Sequence, residues 1–552
     1  MWSWLIPIGL AAWMASNVVR GRQRRPKTQR IHLEDLNDDV LRAIFSKLHP
    51  IDRIIASSVS RRIRTTLVPD IFWSVQWQPP NQSLPSKNLL PYVRTFKLSG
   101  NLHDKRQYTT LVNHTTHEAI VAQLNNALPQ LTLLSTFILG SFMLGGLSSE
   151  IMKILTRLPT LQRLTLDASW LNDSPFILNP GDCATTLKFI QYTTTYLTRS
   201  SDHGVIRRSP RKLQIEASNM RHLLAGCHST LEGIVLPGEL LIRAVDISLQ
   251  WTALRELVVI GLWPEDVDTT FQDGRSQMLQ VLEALPNLYL IRLGILAQIN
   301  DPQDRTNIIG LTHAPPHHPA SFLRNLRIFK LSSPTEDEQI LAFLPSSLEC
   351  LAFPRYPIER MLDTRTVFPP CSRLVDILNR GHFPSLETLD LIYVVSSMAD
   401  VEAEGAFVSS LPSKHPNLYF LSIQRLWNHH LPELEDHWEP VPKFRTLLSR
   451  LKRLRQFKFN ASVPERFGRF PFSGLLEDYH EHIDRLEVLA CAITSECPWL
   501  EDIAMYRELG SNVLLYWSYW DMVVDDDGTP RLQRRQHPIP RSSAPRKHYQ
   551  VV

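Results

Sequence analysis

The residue types that could do chemistry stand at spacings that known catalytic and metal sites rarely use. The runs 114–118 (His-Thr-Thr-His-Glu) and 480–482 (His-Glu-His) lack a third metal ligand at a recognisable spacing. Cys491 and Cys497 are six residues apart, unlike the Cys-x-x-Cys pairs of zinc and redox sites, and are typical of buried core thiols. Glycine-rich phosphate loops, a nucleophile elbow and the His-Glu-x-x-His pattern are absent from the sequence. We therefore expect no catalytic residues, no metal ion and no cofactor.

The composition of the 552 residues is that of a large globular protein. Hydrophobic residues make up 43% and charged residues 21%, which is close to the globular average and allows several buried cores. Six cysteines are too few for a disulfide scaffold and favour a reducing compartment. The formal net charge of +4 is too small to indicate nucleic acid, so we expect no nucleic-acid partner.

An uncharged and largely apolar segment, residues 2–19, begins the sequence, and six Lys or Arg residues follow it within residues 20–30. As a signal anchor, this segment would leave residues 20–552 in the cytosol, because basic flanks stay on the cytoplasmic side. The alternatives are a cleaved secretory signal and an apolar N-terminus without a membrane role. We favour the anchor, which places the chain at the cytoplasmic or nuclear face of an intracellular membrane. A lumenal chain would instead be glycosylated at its sequons, which are Asn81, Asn113, Asn172 and Asn460.

Residues 31–64 predict a pair of short helices with more apolar surface than they can bury between themselves. Asn37 is a favourable N-cap for the first helix, and Pro50 breaks it before a second helix that begins near Asp52. The first helix carries one apolar stripe, made of Val40, Leu41, Ile44, Phe45 and Leu48, and the second presents Ile54, Ile55 and Val59. A module of this kind usually has a partner.

These residues resemble the F-box motif over roughly residues 32–75. In that family a leading Leu-Pro precedes a helix with an Ile-Leu/Phe pair, and a Val-Ser/Cys-Lys/Arg-x-Trp run follows. Asn37 stands at the usual proline position and Ile63 at the usual tryptophan position. The resemblance implies docking on the Skp adaptor of a cullin-RING ubiquitin ligase. The implied adaptor-binding residues are Leu36, Val40, Ile44, Phe45, Leu48, Pro50, Ile54 and Val59.

The rest of the chain contains thirteen copies of an apolar-x-x-apolar-x-apolar pattern. The spacing between copies is irregular, from 22 residues (Leu326 to Leu348) to 46 residues (Leu454 to Leu500), and a weaker copy is predicted at Leu213 and Ile215. The pattern resembles a degenerate leucine-rich-repeat solenoid, which predicts an α/β fold with a curved parallel sheet and outer helices. The copies begin at Val93, Leu134, Leu161, Leu187, Leu231, Leu254, Leu288, Leu326, Leu348, Leu386, Leu418, Leu454 and Leu500.

Strand alternation directs the apolar positions of each copy into the core and the intervening residues to the concave side. The intervening residues are therefore the expected substrate-binding surface, although for any one of them a merely solvated strand residue is the more frequent case. They include Arg163, Arg292, Lys330, Asp390, Gln424, Lys458 and Tyr506.

The predicted organisation has five parts: residues 1–30 as the apolar segment with its basic flank, 31–78 as the F-box, 79–510 as the solenoid, 511–536 as a terminal hairpin cap, and 537–552 as a disordered tail. This arrangement resembles the F-box and leucine-rich-repeat proteins common in fungi. The resemblance implies a non-catalytic substrate receptor that binds the Skp adaptor, through it a cullin, and an unknown protein substrate. The alternatives are a non-ligase leucine-rich-repeat scaffold, free or membrane anchored, and a secreted or lumenal repeat protein.

Overall fold

The protein divides into two compact units in a computed structural model. The helical unit comprises Met1–Val75 and Pro85–Val93, and the repeat unit comprises Gln76–Leu84 and Arg94–Val552. The structure describes residues 33, 36–79, 82–99, 114–140, 147–168, 170, 176–177, 186–193, 210–262, 273–296, 307–332, 334–354, 368–427, 439–460, 476–507, 516–524 and 530–535.

Three short helices form the helical unit: α1 (Asp38–Phe45), α2 (Pro50–Ser57) and α3 (Arg61–Ile71). Each begins after a capping side chain, because Asn37, His49 and Ser60 each accept a hydrogen bond from a backbone N–H two or three residues later. Pro50 is the first residue of α2, where its fixed φ suits a helix start. The first helix thus ends at Phe45, before Pro50, and the second begins slightly earlier than the sequence predicted.

The strands of the sheet follow one another in chain order, so that each strand pairs with the strands before and after it in the sequence. Neighbouring strands from β2 to β14 are parallel, and the last two strands add antiparallel, where the sequence predicted a hairpin. The strands are β1 (Ser74–Trp77), β2 (Thr95–Leu98), β3 (Thr136–Leu139), β4 (Arg163–Leu166), β5 (Phe189–Tyr192), β6 (Gly233–Pro237), β7 (Glu256–Leu262), β8 (Leu290–Leu296), β9 (Ile328–Leu331), β10 (Cys350–Phe353), β11 (Thr388–Val395), β12 (Phe420–Trp427), β13 (Gln456–Phe459), β14 (Asp502–Arg507), β15 (Tyr516–Val524) and β16 (Pro530–Arg534).

Helices connect most of the parallel strands, and successive helices late in the chain contact one another, which forms a layer beside the sheet. Phe444 of one such helix packs at 5.3 Å, centroid to centroid, against Phe457 and Phe459 of the next strand. The helices are α4 (His114–Ala127), α5 (Ser149–Thr156), α6 (Pro210–Cys227), α7 (Gly238–Ala244), α8 (Gln277–Glu283), α9 (Cys371–Asn379), α10 (Met398–Lys414), α11 (Pro440–Arg450) and α12 (Leu476–Thr494).

One hydrogen-bond pattern repeats at all twelve steps from β2 to β14. The backbone carbonyl just before each strand accepts two consecutive N–H groups from the start of the next strand, at 2.7–3.1 Å. At the first step, for example, Ser135 and Thr136 donate to the carbonyl of Arg94, both at 2.9 Å. This pattern holds every strand in the same register as the one before it.

The constant register places the apolar positions of the sequence repeats in continuous buried rows. All thirteen predicted copies correspond to strands, β2 to β14, and the α/β fold class predicted from the sequence is confirmed. One core row consists of Phe96, Phe137, Leu164, Ile190, Ile234, Leu257, Ile291, Phe329, Leu351, Leu389, Leu421, Phe457, Ile503 and Trp520, all of them buried.

Two predictions were wrong. The weak repeat copy at Leu213 and Ile215 lies within α6, because a helical period of buried residues (Ala217, Met220, Leu224) dominates there. Cys491 is exposed on α12 rather than buried. Cys497 is buried as expected, and its burial raises the thiol pKa to about 11.

Among the helices that the structure describes, none is both long and apolar enough to cross a bilayer. The predicted anchor at residues 2–19 and the predicted tail at residues 537–552 lie outside the described residues.

Two glycines offer a direct test of the close approach between helix and sheet. A Cβ on Gly238, the first residue of α7, would lie 2.2 Å from the backbone oxygen of Leu262, whereas a Cβ on Gly405 in α10 would meet nothing within 4 Å. We expect Gly238→Ala to destabilise the repeat unit by roughly 1–3 kcal/mol through overpacking. Gly405→Ala should stabilise it by about 0.5–1 kcal/mol, because alanine is the better helix former. Thermal unfolding midpoints measure both effects, and equal shifts in the same direction would contradict the packing described here.

Candidate functional site

The apolar stripe predicted on α1 divides between two directions. Leu41 and Phe45 point inward and form the core of the helical unit together with Ile63 and Leu67 of α3. Val40 and Ile44 are 45% and 40% exposed. The division follows from helix geometry, since residues four apart share a line along the helix while adjacent residues are turned by about 100°.

The second helix adds four more exposed apolar side chains in and just after α2. Ile51, Ile54, Ile55 and Val59 are 45–73% exposed. Single exposed apolar residues are ordinary on a protein surface, but six within twenty residues of sequence are typical of a contact surface. We call Val40, Ile44, Ile51, Ile54, Ile55 and Val59 the exposed apolar set.

The eight residues that the resemblance assigned to adaptor binding therefore differ in their surroundings. Val40, Ile44, Ile54 and Val59 belong to the exposed apolar set. Leu36 and Leu48 are partly buried against the core, Phe45 is a core residue, and Pro50 begins α2. Ile51 was missed by the sequence reasoning, although its spacing of three and four residues from Ile54 and Ile55 marks the same helix face.

Polar contacts also connect the third helix to the start of the first. Arg62 donates a hydrogen bond of 2.8 Å to the carbonyl of Leu36 and forms a 3.3 Å ion pair with Asp38. Ile63, at the position where the F-box motif usually has tryptophan, is 2% exposed. The departure at Ile63 thus changes the core of the unit and leaves the exposed apolar set as it is.

The second face of the sheet, opposite the core rows, carries a row of charged side chains separated by small ones. In the strand register Lys330, Asp390 and Lys458 alternate with Ala352 and Ser422. Arg292 pairs with Lys330 at the start of this row. Four of the predicted substrate-binding residues, Arg292, Lys330, Asp390 and Lys458, therefore share one row across the strands.

The other three predicted substrate-binding residues lie elsewhere on the sheet. Arg163 begins β4 and is in register with Thr136 and Phe189, nearer the strand starts. Gln424 pairs with Ile392, farther along β12. Tyr506 pairs with Trp517 of β15 through the backbone, and its side chain lies outside the described atoms.

Charges on the second face are partly removed from water at its C-terminal end. The Lys458 ammonium lies 3.5 Å from the Tyr519 hydroxyl, and burial lowers the pKa of Lys458. Burial raises the pKa of Asp390, and it raises that of Tyr519 to about 12. The arrangement can hold a polar group between opposite charges, but it has no nucleophile paired with a base.

Arg535 forms ion pairs with two neighbouring strands, β14 and β15, at this end of the sheet. Its guanidinium lies 3.4 Å from Asp502 of β14 and also forms an ion pair with Asp521 of β15. Burial still raises the pKa of Asp502, despite that cation. These side-chain contacts add to the backbone pairing of β14 with β15, which joins the terminal hairpin to the parallel strands.

A second buried polar group lies on the core side and is structural. Glu404 of α10 accepts hydrogen bonds from the Tyr393 hydroxyl at 2.7 Å and from Arg425 Nε at 3.0 Å. All three residues are fully buried, so the charges compensate each other away from solvent. The sequence offered no signal for this link, because Glu404 and Arg425 come together only through the pairing of β12 with β11 in the sheet.

No group of three His, Cys, Asp or Glu residues in the described part of the chain is placed to hold a metal ion.

Comparison with known proteins identifies the helical unit. A family model of the F-box domain matches residues 33–74, which confirms the resemblance seen in the sequence. No curated protein matches the chain.

Among solved structures, the leucine-rich repeat-containing protein LegL7 from Legionella pneumophila is 12% identical over 83% of this chain and 92% of its own, with a TM-score of 0.26. The TLR13–ssRNA13 complex is 15% identical over 79% of this chain and 53% of its own, about half, with a TM-score of 0.32. Because both scores are low, the assignment of the repeat fold depends on the strand register given above.

The two directions of the α1 stripe can be separated by mutation. We expect Phe45→Ala to destabilise the helical unit by about 3–5 kcal/mol, since it removes a buried aromatic ring. Ile44→Ala should change stability far less, because the side chain is already in contact with solvent. Hydrogen–deuterium exchange of the α1–α3 backbone amides in the full chain measures both. Similar protection in the two variants would show that the stripe does not divide in this way.

Proposed function

We propose that this chain, whose residues 33–74 form an F-box domain, is the substrate-recognition subunit of a Skp-cullin-F-box ubiquitin ligase. In this proposal the exposed apolar set docks on the Skp adaptor, and the repeat unit holds a target protein. The observation that carries the proposal is the outward direction of six apolar side chains on a unit whose own core is already formed by Leu41, Phe45, Ile63 and Leu67.

The energetics favour a partner on that surface. Burying a whole Val or Ile side chain contributes about 1.5–3 kcal/mol, so a half-exposed one can still contribute about 1 kcal/mol on binding. Six such side chains supply a gross term on the order of 6 kcal/mol, which offsets part of the cost of association. A helical adaptor surface with a complementary apolar groove is the kind of partner that suits two short helices.

The repeat unit supplies an extended surface suited to a target protein. The row formed by Arg292, Lys330, Asp390 and Lys458 offers charges of both signs on a sheet whose register is fixed. In the proposed complex the chain does no chemistry of its own. It raises the effective concentration of a target lysine near the ubiquitin carrier bound to the cullin.

Capture of the Skp adaptor by the full chain tests the proposal. The test variant combines Ile44→Asp and Ile54→Asp, both in the exposed apolar set, because a carboxylate buried without a partner in an interface is strongly unfavourable. We expect the wild type to bind and this variant to lose at least about tenfold in affinity, as measured by calorimetry. Leu48 is left unchanged, since it packs against the core and its replacement would also test folding.

The matched control combines Val488→Asp and Ile247→Asp, which places the same two charges at apolar residues of the repeat unit that are 71% and 48% exposed. It should bind the adaptor as the wild type does. Failure of the wild type to bind would reject the ligase role and favour the leucine-rich-repeat scaffold. Equal binding by all three proteins would instead show that the exposed apolar set is not the docking surface.

We also propose that residues 2–19 anchor the chain to an intracellular membrane with residues 20–552 in the cytosol. The support is the apolar composition of this segment and the basic residues that follow it. Deletion of residues 1–30 should move the protein from the carbonate-resistant membrane fraction to the soluble fraction while adaptor binding persists. If the full chain and the deletion variant partition alike, the anchor proposal is wrong.

Glycosylation of the sequons is an independent test of whether residues 20–552 lie in the cytosol or the lumen. Asn460 is unsuited to this assay. The side-chain amide of Asn460 is hydrogen bonded at 2.6 Å to both the backbone N–H and the carbonyl of Arg425. A glycan would require those bonds to break, so the assay should follow the sequons at Asn81, Asn113 and Asn172.

A further inference from the structure

A groove of about 310 Å³ crosses the starting ends of strands β3 to β7. It belongs entirely to the repeat unit and lies on the second face, next to the loops that lead into these strands. Its lining includes Arg163, Phe189, Glu232, Gly233, Arg255 and Glu256. At about 4.8 Å between strands, five strands give a groove roughly 19 Å long.

An aromatic ring and a guanidinium that line this groove lie against each other. The Phe189 ring lies over Gly233, where an added Cβ would come within 2.6 Å of the ring. The Arg163 guanidinium lies 4.0 Å from the centroid of the same ring. The absence of a side chain at Gly233 thus makes room for the ring, and the face of the ring attracts the Arg163 guanidinium by a cation–π interaction.

Two of the three cationic side chains that line the groove, those of Arg163 and Arg255, are not paired with any described carboxylate. Lys188 is paired with Glu232 at 2.8 Å. Among the described residues, no carboxylate lies within ion-pair distance of Arg163 or Arg255, and both side chains are exposed. A planar guanidinium that lies over an aromatic ring and has no carboxylate partner can present parallel N–H donors for bidentate binding of an anion.

We infer that this groove binds an extended acidic peptide segment of the target protein, with one carboxylate or phosphoryl side chain held by Arg163. The inference rests on the proposed function, since it names the class of segment that the repeat unit would recognise. An extended chain of about six residues spans 19 Å, which matches the groove. A single aromatic ring among the lining residues fits a nucleic-acid strand poorly, because such strands use several stacking platforms for successive bases.

The test uses the full chain bound to the Skp adaptor and fluorescein-labelled pools of random octapeptides. The fourth position is fixed as Glu in one pool, phosphoserine in the second and Gln in the third. We expect the Glu or the phosphoserine pool to bind at least about tenfold more tightly than the Gln pool in fluorescence anisotropy, as for a hydrogen bond to a charged group. The stronger of the two acidic pools identifies carboxylate or phosphoryl as the preferred anion.

Two arginine variants assign the preference to the groove. Arg163→Gln should abolish the difference between the acidic and neutral pools. Arg453→Gln, which removes an exposed arginine bonded to Asn417 elsewhere on the repeat unit, should preserve it. Adaptor binding and the unfolding midpoint are measured for both variants, so that a folding defect is recognised separately.

Equal binding of the three pools, or an acidic preference that survives Arg163→Gln, overturns the inference. Tighter binding of an eight-nucleotide single-stranded DNA than of either acidic pool also overturns it. If the adaptor binds while the pools are equal, the groove inference fails and the proposed ligase role stands. If the free chain prefers the acidic pools but does not bind the adaptor, the ligase role fails and the groove stands.

Discussion

The repeat unit depends on the carbonyl group that precedes each strand and accepts two N–H groups from the next. Because this contact recurs at all twelve steps from β2 to β14, each strand inherits the register of its predecessor. A shift of one residue would turn every core side chain of a strand to the opposite face. The buried row from Phe96 to Trp520 and the charged row from Arg292 to Lys458 therefore depend on the same backbone geometry.

The helical unit meets a different constraint, which is its small size. Three short helices can enclose only a few side chains, and here the core consists of Leu41, Phe45, Ile63 and Leu67 with partly buried neighbours. The remaining apolar residues of α1 and α2 stay in contact with solvent. A surplus of apolar surface thus follows directly from packing short amphipathic helices.

Although the spacing between the repeats is irregular, the strands could be predicted from the sequence. The contacts between residues of neighbouring strands were harder to predict. The apolar pattern located all thirteen parallel strands, because two inward residues per short strand survive changes in loop length. The same kind of pattern was misleading at Leu213 and Ile215, where the period of α6 decides the structure. On the second face, strand alternation predicted which residues face away from the core. Which of them are neighbours depended on pairing across 22 to 46 residues of intervening chain.

The sequence by itself determined the F-box domain, the α/β repeat architecture and the inward or outward direction of most strand residues. These features follow from local periodicity and from a motif of contiguous residues. Tertiary structure decided that Phe45 packs inward while Ile44 faces outward, that Glu404 meets Arg425, and that the Arg163 guanidinium lies over the Phe189 ring beside Gly233. Each of these contacts needs elements that are separate in sequence to pack at a particular angle and register, and no local pattern encodes that geometry.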